Sequence, residues 1–277
     1  MKKTLFAALF CIPLMCGAAM ADNNDRADKA KAKMAELFGN DYVPTLTQTD
    51  PDFAAIRDNL IYGELYYQGS LNDTQRTLVT IAGLIAGEQF DYLKQEIEAA
   101  LNLKIAPDII KEAIYQTAPY CGIGKAEKAI NISNEVFTAR GITLPLKSHA
   151  TVNEENRFEK GRDVQVGMYG KRITDMHKAT PDIQKYISVN HLSAYCFGDF
   201  FTRTGLSPKE REMLIFAVIL TLGGAEGQLQ GHALGNITAG NTKQNLIDIA
   251  ALLMPYNGFP RTLNALNVIN KAITDKK

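Results

Sequence analysis

The chain repeats itself. Gly63, Leu71, Arg76 and Ala82 recur as Gly198, Leu206, Arg211 and Ala217, each 135 positions further on. After a one-residue slip the match resumes at a spacing of 136: Leu93 pairs with Leu229, and Pro119-Tyr120-x-Gly122 pairs with Pro255-Tyr256-x-Gly258. Asn131 and Asn134 pair with Asn267 and Asn270 in the same register. Self-similarity over this distance means that one structural unit has been duplicated, so the fold must be one that stacks or pairs two like units. It also makes differences informative. Where the copies differ in polar residues, one copy can have kept chemistry that the other lost.

The resemblance reaches the segments ahead of each copy. Leu37-Phe38-Gly39 precedes Pro51-Asp52 much as Met168-Tyr169-Gly170 precedes Pro181-Asp182. Asn72-Asp73-Thr74-Gln75 and Ser207-Pro208-Lys209-Glu210 hold the same repeat position. The second reads as a capping box with proline at the first helical position, and the first as a weaker form of it. The helix after Asn72 carries Leu78, Ile81, Ala82 and Ile85 on one face. Its counterpart, Met213 to Leu222, is apolar nearly all round, which predicts burial on several sides. Two more helices follow in each copy up to the Pro-Tyr-x-Gly turn, and a last one completes it. No stretch alternates with a period of two, so no substantial sheet is expected. The expected organisation is a signal segment over 1–21, a leader over 22–52, repeat one over 53–140, a connector over 141–187 and repeat two over 188–277.

Lys2 and Lys3, the apolar run Leu5 to Leu14, and Ala19-Met20-Ala21 before Asp22 read as a cleavable secretory signal. The run is too short to span a bilayer, so the mature protein is expected to be periplasmic or secreted with no stable membrane insertion. Without residues 1–21 the chain has 28 Lys+Arg against 30 Asp+Glu. A near-neutral chain without a basic run is a poor fit to nucleic acid. A small molecule or a second copy of the chain is the better partner. Cys121 and Cys196 remain, and an oxidising compartment permits a disulfide between them. They do not hold equivalent repeat positions, so two buried free thiols are an equal alternative.

The order Gly-Leu-Ser-x-x-Glu-Arg-Glu (Gly205 to Glu212), Leu-x-x-His (Leu229 to His232) and Pro-Tyr-x-Gly-Phe-Pro (Pro255 to Pro260) resembles the carboxymuconolactone decarboxylase family. Copy one matches through Gly69 to Arg76, Leu93 and Ala118 to Gly122. The resemblance implies an all-α fold of two tandem helical-bundle repeats. It implies assembly into rings of about six units, which a tandem chain reaches as a trimer. It also implies one of two chemistries, lactone decarboxylation or the Cys-x-x-Cys peroxide reduction of the alkylhydroperoxidase D type.

Cys-x-x-Cys is absent. The expected positions hold Ala225 and Gln228 in copy two, and Gln89 and Tyr92 in copy one. Peroxidase chemistry needs an attacking and a resolving thiol, so it is disfavoured. By the resemblance, His232 is the first catalytic candidate, with Glu96 at its position in copy one. Imidazole suits proton transfer near neutral pH. Glu212 is the second, with Thr77 opposite it, either as an acid/base partner of His232 or as a first-turn acid favoured by the helix dipole. Arg211 is the third, as a cation facing developing negative charge. Arg76, Glu96 and His191 are candidates for substrate binding. Both arginines have a structural alternative, a salt bridge between helices, and His191 has one in ordinary packing. The histidines lack metal-ligand spacing and there is no nucleotide or serine-hydrolase motif, so no metal or organic cofactor is expected. The expected activity is carboxy-lyase chemistry on a small anionic lactone or unsaturated carboxylic acid. A ring-forming binding or scaffold protein of the same fold is the alternative.

Overall fold

The computed structural model describes residues 22–274, with side chains from residue 25 onwards. The expected signal segment, 1–21, lies outside the described residues. Eleven α-helices run through the described chain, and no strand occurs among those residues. They are α1 (Asp22–Phe38), α2 (Pro51–Asp58), α3 (Asp73–Ala86), α4 (Phe90–Asn102), α5 (Pro107–Cys121), α6 (Ile123–Ala139), α7 (Arg157–Tyr169), α8 (Lys171–Ala179), α9 (Pro208–Leu222), α10 (Glu226–Thr238) and α11 (Lys243–Ala272). Wide π-type turns cover Asn59–Glu64 and Tyr186–Phe201.

Local chemistry sets the helix starts. Asn72 with Gln75, Ser207 with Glu210 and Thr242 with Asn245 each form a reciprocal capping box, satisfying amides that the first turn leaves free. The box at Asn72 is complete rather than weakened. Gly122 and Gly258 both adopt positive φ, 95° and 75°, and turn the chain at the same repeat position. At Gly122 this separates α5 from α6, and at Gly258 it kinks α11. The second half of α11 is therefore the counterpart of α6.

Burial follows the repeat. In α3 every residue from Arg76 to Ala86 is buried, and in α9 every residue from Arg211 to Thr221. These two helices pack on one another at the centre, and α5 and α11 each touch both of them. One hydrophobic cluster thus spans both copies. Neither central helix has a solvent face, as the all-round apolar pattern of Met213 to Leu222 required.

The likeness of the two copies extends into the segments ahead of them, as their matching residues indicated. The segment 141–187 expected as a connector contains α7 and α8, and α7 packs along the π-type turns of 186–201 as α1 packs along those of 59–64. Glycine allows the close approach in both places. A Cβ on Gly63 would lie 2.2 Å from the Arg26 carbonyl oxygen, and one on Gly198 would lie 2.2 Å from that of Arg157. The same two arginines bind the residue after each glycine, Arg26 to Glu64 and Arg157 to Asp199. Gly198→Ala is expected to cost about 1–3 kcal/mol through overpacking against backbone. Gly227→Ala, inside α10 with nothing within 4 Å of its Cβ, should instead gain roughly 0.5–1 kcal/mol. Urea midpoints at unchanged m-value check the two opposite signs.

Candidate functional site

α9 and α10 bring Glu212 and His232 together, twenty positions apart in sequence, and the end of α7 adds Tyr169. His232 Nδ1 lies 3.0 Å from Glu212 Oε2. The Tyr169 hydroxyl donates to Glu212 Oε1 at 2.7 Å and lies 3.0 Å from His232 Nδ1. Having one proton, which it gives to the carboxylate, that hydroxyl can only accept from Nδ1–H. With Glu212 ionised, the three groups fit one protonation pattern, in which Nδ1 carries hydrogen. The Glu212 side chain is wholly buried, whereas His232 keeps 14% exposure. Nε2 has no protein partner among the described residues and is free to exchange a proton with a bound molecule. A carboxylate on Nδ1 that fixes the tautomer and supports the imidazolium is the arrangement of a general acid/base histidine.

The surroundings hold this geometry. Gly235 sits one turn beyond His232, where a Cβ would lie 2.7 Å from Glu212 Oε2 and 2.9 Å from the Tyr169 hydroxyl. Asn236 donates to the carbonyls of Glu212 and His232, tying α9 to α10 at the site. Copy one contributes as well. Tyr120, from the end of α5, meets the His232 ring edge-on at 5.5 Å, and the Cys196 thiol lies 3.4 Å from its hydroxyl. The exposed Arg172, just past Tyr169, is close enough for its charge to act on the Tyr169 hydroxyl. Burial still pushes that hydroxyl's pKa far up, so it acts as a neutral donor.

The same positions in copy one carry different chemistry. Phe38 replaces Tyr169, Thr77 replaces Glu212 and Glu96 replaces His232. Glu96 is 7% exposed and has no hydrogen-bond partner among the described residues, beside Tyr62, Tyr66 and Tyr256. The Tyr66 hydroxyl and Thr77 Oγ1 are also buried without a well-placed partner. Burial pushes the Glu96 carboxyl up to about 8. The two positions are built crosswise, since Tyr256 of copy two faces Glu96 and Tyr120 of copy one faces His232.

Not every expected residue reaches the site. Arg211 is 1% exposed and donates to Gln116 Oε1 at 2.7 Å, Glu112 Oε2 at 3.3 Å and the Arg203 and Thr204 carbonyls. Its Nε is buried without a partner. Arg76 likewise binds the carbonyls of Leu65, Gln68 and Leu71. Both guanidiniums lock the turn ahead of their own helix, so the expected catalytic role of Arg211 and binding role of Arg76 give way to structural ones. His191 is exposed beside Tyr186, with ring centroids 6.4 Å apart, and stays apart from the triad. Cys121 and Cys196 are unpaired. Burial raises both thiols, Cys196 to about 12, which leaves little thiolate for peroxide chemistry. No group of three or more potential metal ligands occurs among the described residues.

Sequence reasoning missed Tyr169, although the comparison of copies contained it. Met168-Tyr169-Gly170 aligns with Leu37-Phe38-Gly39, and the polar difference there is of the same kind as Glu212 against Thr77. Tyr120 and Gly235 had no such signal, because their roles depend on which helices meet.

Glu96 supplies a pH test. Its folded pKa lies above the ordinary carboxyl value, so the folded state retains a proton that the unfolded chain releases. Its contribution to stability is complete below about pH 4.5 and is lost as pH rises to about 8. Urea midpoints measured across that window should fall more steeply for wild type than for Glu96→Gln, which keeps the shape and cannot ionise.

Two stretches of the chain, residues 51–135 and 189–271, match the model of the carboxymuconolactone decarboxylase family. A 4-carboxymuconolactone decarboxylase of Acinetobacter baylyi is 29% identical over 109 residues, covering 39% of this chain and 81% of that protein. With both copies matched, and the paired helical bundles described above, the chain belongs to the carboxymuconolactone decarboxylase family.

Proposed function

We propose that this protein is an enzyme of the decarboxylase type, acting on a small anionic lactone or unsaturated carboxylic acid at the Tyr169–Glu212–His232 constellation. One observation carries the reading: a histidine whose Nδ1 is held by a buried carboxylate and whose Nε2 has no protein partner. Loss of carbon dioxide from such a substrate leaves an electron pair that spreads into an unsaturated carbonyl, and a carbon must then be protonated. Nε2 of the imidazolium gives that proton, and Glu212 stabilises the charged ring before transfer. Arg211 has no part in this step. The cation for the substrate carboxylate is instead assigned to Arg172, which is exposed and lies beside Tyr169. The substrate itself carries the electrons, so this scheme calls on no cofactor.

Export and assembly belong to the same reading. The charged start, short apolar run and Ala19-Met20-Ala21 support cleavage after Ala21 and a periplasmic or secreted protein. Among the described residues no helix is long and apolar enough to cross a membrane. Exposed apolar residues recur at equivalent positions of the two copies: Phe53 (57%) with Ile183 (82%), Ile56 (66%) with Tyr186 (57%), and Ile123 with Phe259 (both 63%). A face repeated in both units suits contacts between chains, consistent with three chains giving six units. The same surface also suits a non-catalytic ring-forming scaffold, which is the second reading.

A thermal-shift screen against small lactones and unsaturated di- and tricarboxylates separates the two, because a ligand of the folded state raises the melting point. Wild type should shift and His232→Ala should not; no shift with any compound would favour the scaffold. With a ligand identified, release of carbon dioxide is the assay. His232→Ala is expected to lower kcat roughly 10²–10⁴-fold, the range of a lost general acid/base. Tyr169→Phe should lower kcat less, and Arg172→Ala should act mainly on KM.

A further inference from the structure

A polar cavity of about 430 Å³ lies between α5, α6 and the 144–148 segment. Lys111, Tyr115, Asn134, Lys147, Ser148 and Arg203 are in its wall. It is separate from the histidine site, since Lys111 and Tyr120 are nine residues apart on α5, about 13 Å along the axis.

Lys111 is an unusual lysine. It is 6% exposed, and its ammonium donates to two neutral acceptors, Ser133 Oγ and Asn134 Oδ1, each at 2.6 Å. No carboxylate pairs with it. The two nearest acids in the wall are already taken: Glu112 by Arg203 and Arg211, Asp108 by His149. An unpaired buried ammonium is costly unless it can lose its proton or gain an anion. Burial brings its pKa down to about 8, so free amine is present near neutrality.

The rest of the wall supplies the anion partner. Arg203 uses Nε and Nη2 on Glu112 and has no hydrogen bond from Nη1 among the described residues, and its guanidinium carbon lies 5.3 Å from the centre of the Tyr115 ring. Lys147 is exposed at the rim and has no ion pair among the described residues. Lys111 and its immediate surround are particular to copy one, while Arg203 reaches the cavity from copy two. The positions of Lys111, Tyr115 and Ser133 hold Ile247, Ala251 and Ile269 in copy two. The duplicated fold therefore does not need them.

We propose that this cavity binds a small oxo-carboxylate, with its carboxylate on Lys147 and Arg203 and its carbonyl carbon on Lys111, which forms a reversible imine. The amine nitrogen adds to the carbonyl carbon and the carbonyl oxygen leaves as water. The nitrogen loses its protons to that water, and hydrolysis reverses the step. No oxidant or reductant is consumed.

Glyoxylate is the probe. The protein is incubated with low glyoxylate and cyanoborohydride, digested, and each lysine assayed by mass spectrometry for a carboxymethyl group. Lys111 should be modified at least about tenfold faster than exposed lysines such as Lys128 and Lys209, the margin that a lowered ammonium pKa gives the free amine. Lys147→Ala should slow modification of Lys111 at low glyoxylate and leave it unchanged at saturation. Lys111→Arg, checked for an unaltered melting point, should lose the fast-labelling site and no other. Modification of Lys111 at the rate of the exposed lysines, or a rate insensitive to Lys147→Ala, would overturn the proposal. Neither result bears on His232, which this labelling does not read.

Discussion

Each half of this molecule is pinned by a buried acid from the other. Glu112 of copy one holds Arg203 through three hydrogen bonds of 2.8–3.0 Å and reaches Arg211 at 3.3 Å. Asp248, its counterpart in copy two, accepts from the Ser70 amide and hydroxyl, both at 2.7 Å. Each contact fixes the turn that leads into a central helix, Ser70 ahead of α3 and Arg203 ahead of α9. Gly69 has no alternative there, because a Cβ would lie 2.4 Å from the Asp248 carboxyl carbon. Of the two contacts only that of Glu112 with its arginines is a charge pair, and removing one member of a buried pair strands the other, which typically costs about 3–5 kcal/mol. The copies therefore fold as one body, with α3 and α9 at its centre.

The site inherits its precision from that arrangement. Glu212 follows Arg211 in sequence and is turned by about 100° around the same helix. The arginine anchors α9 to copy one, and the glutamate meets His232 of α10. Arg211 thus contributes to the chemistry by fixing the helix rather than by touching substrate. Tyr120 completes the wall from the other copy, so neither repeat alone contains the whole site.

Duplication followed by divergence explains the asymmetry. At three equivalent positions copy two has Tyr169, Glu212 and His232, and copy one has Phe38, Thr77 and Glu96. The first set binds itself into a charged, hydrogen-bonded network. The second leaves a carboxyl among tyrosines with no partner, held neutral by burial over most of the acidic range. The same divergence runs the other way at Lys111, where copy one has the polar cluster and copy two has Ile247. Chemistry differs between the copies while the helices, caps and turning glycines stay the same.

Sequence alone determined the helices of the two repeat cores, the Ser207 cap and the duplication, because these rest on contacts a few residues apart, whereas α7 and α8 were not foreseen in the expected connector. Ser207 and Glu210 form their box wherever the helix goes, and the apolar surround of Met213 to Leu222 called for burial at a core centre or a subunit interface, of which the structure shows the first. The pairing of Glu212 with His232 was legible through the resemblance and through the copy difference. Tertiary structure decided the rest. Arg211 and Arg76 looked like carboxylate clamps because a guanidinium suits either a ligand or a buried carbonyl, and only the fold shows which acceptors surround it. His191 looked available for a pocket, and the path of 186–201 leaves it outside. Tyr169 and Tyr120 entered the site from distant segments, and Lys111 lost its chance of a carboxylate partner because Glu112 was taken by the other copy's arginines. Local spacing governs which elements form. Which polar groups share a buried volume depends on how those elements pack.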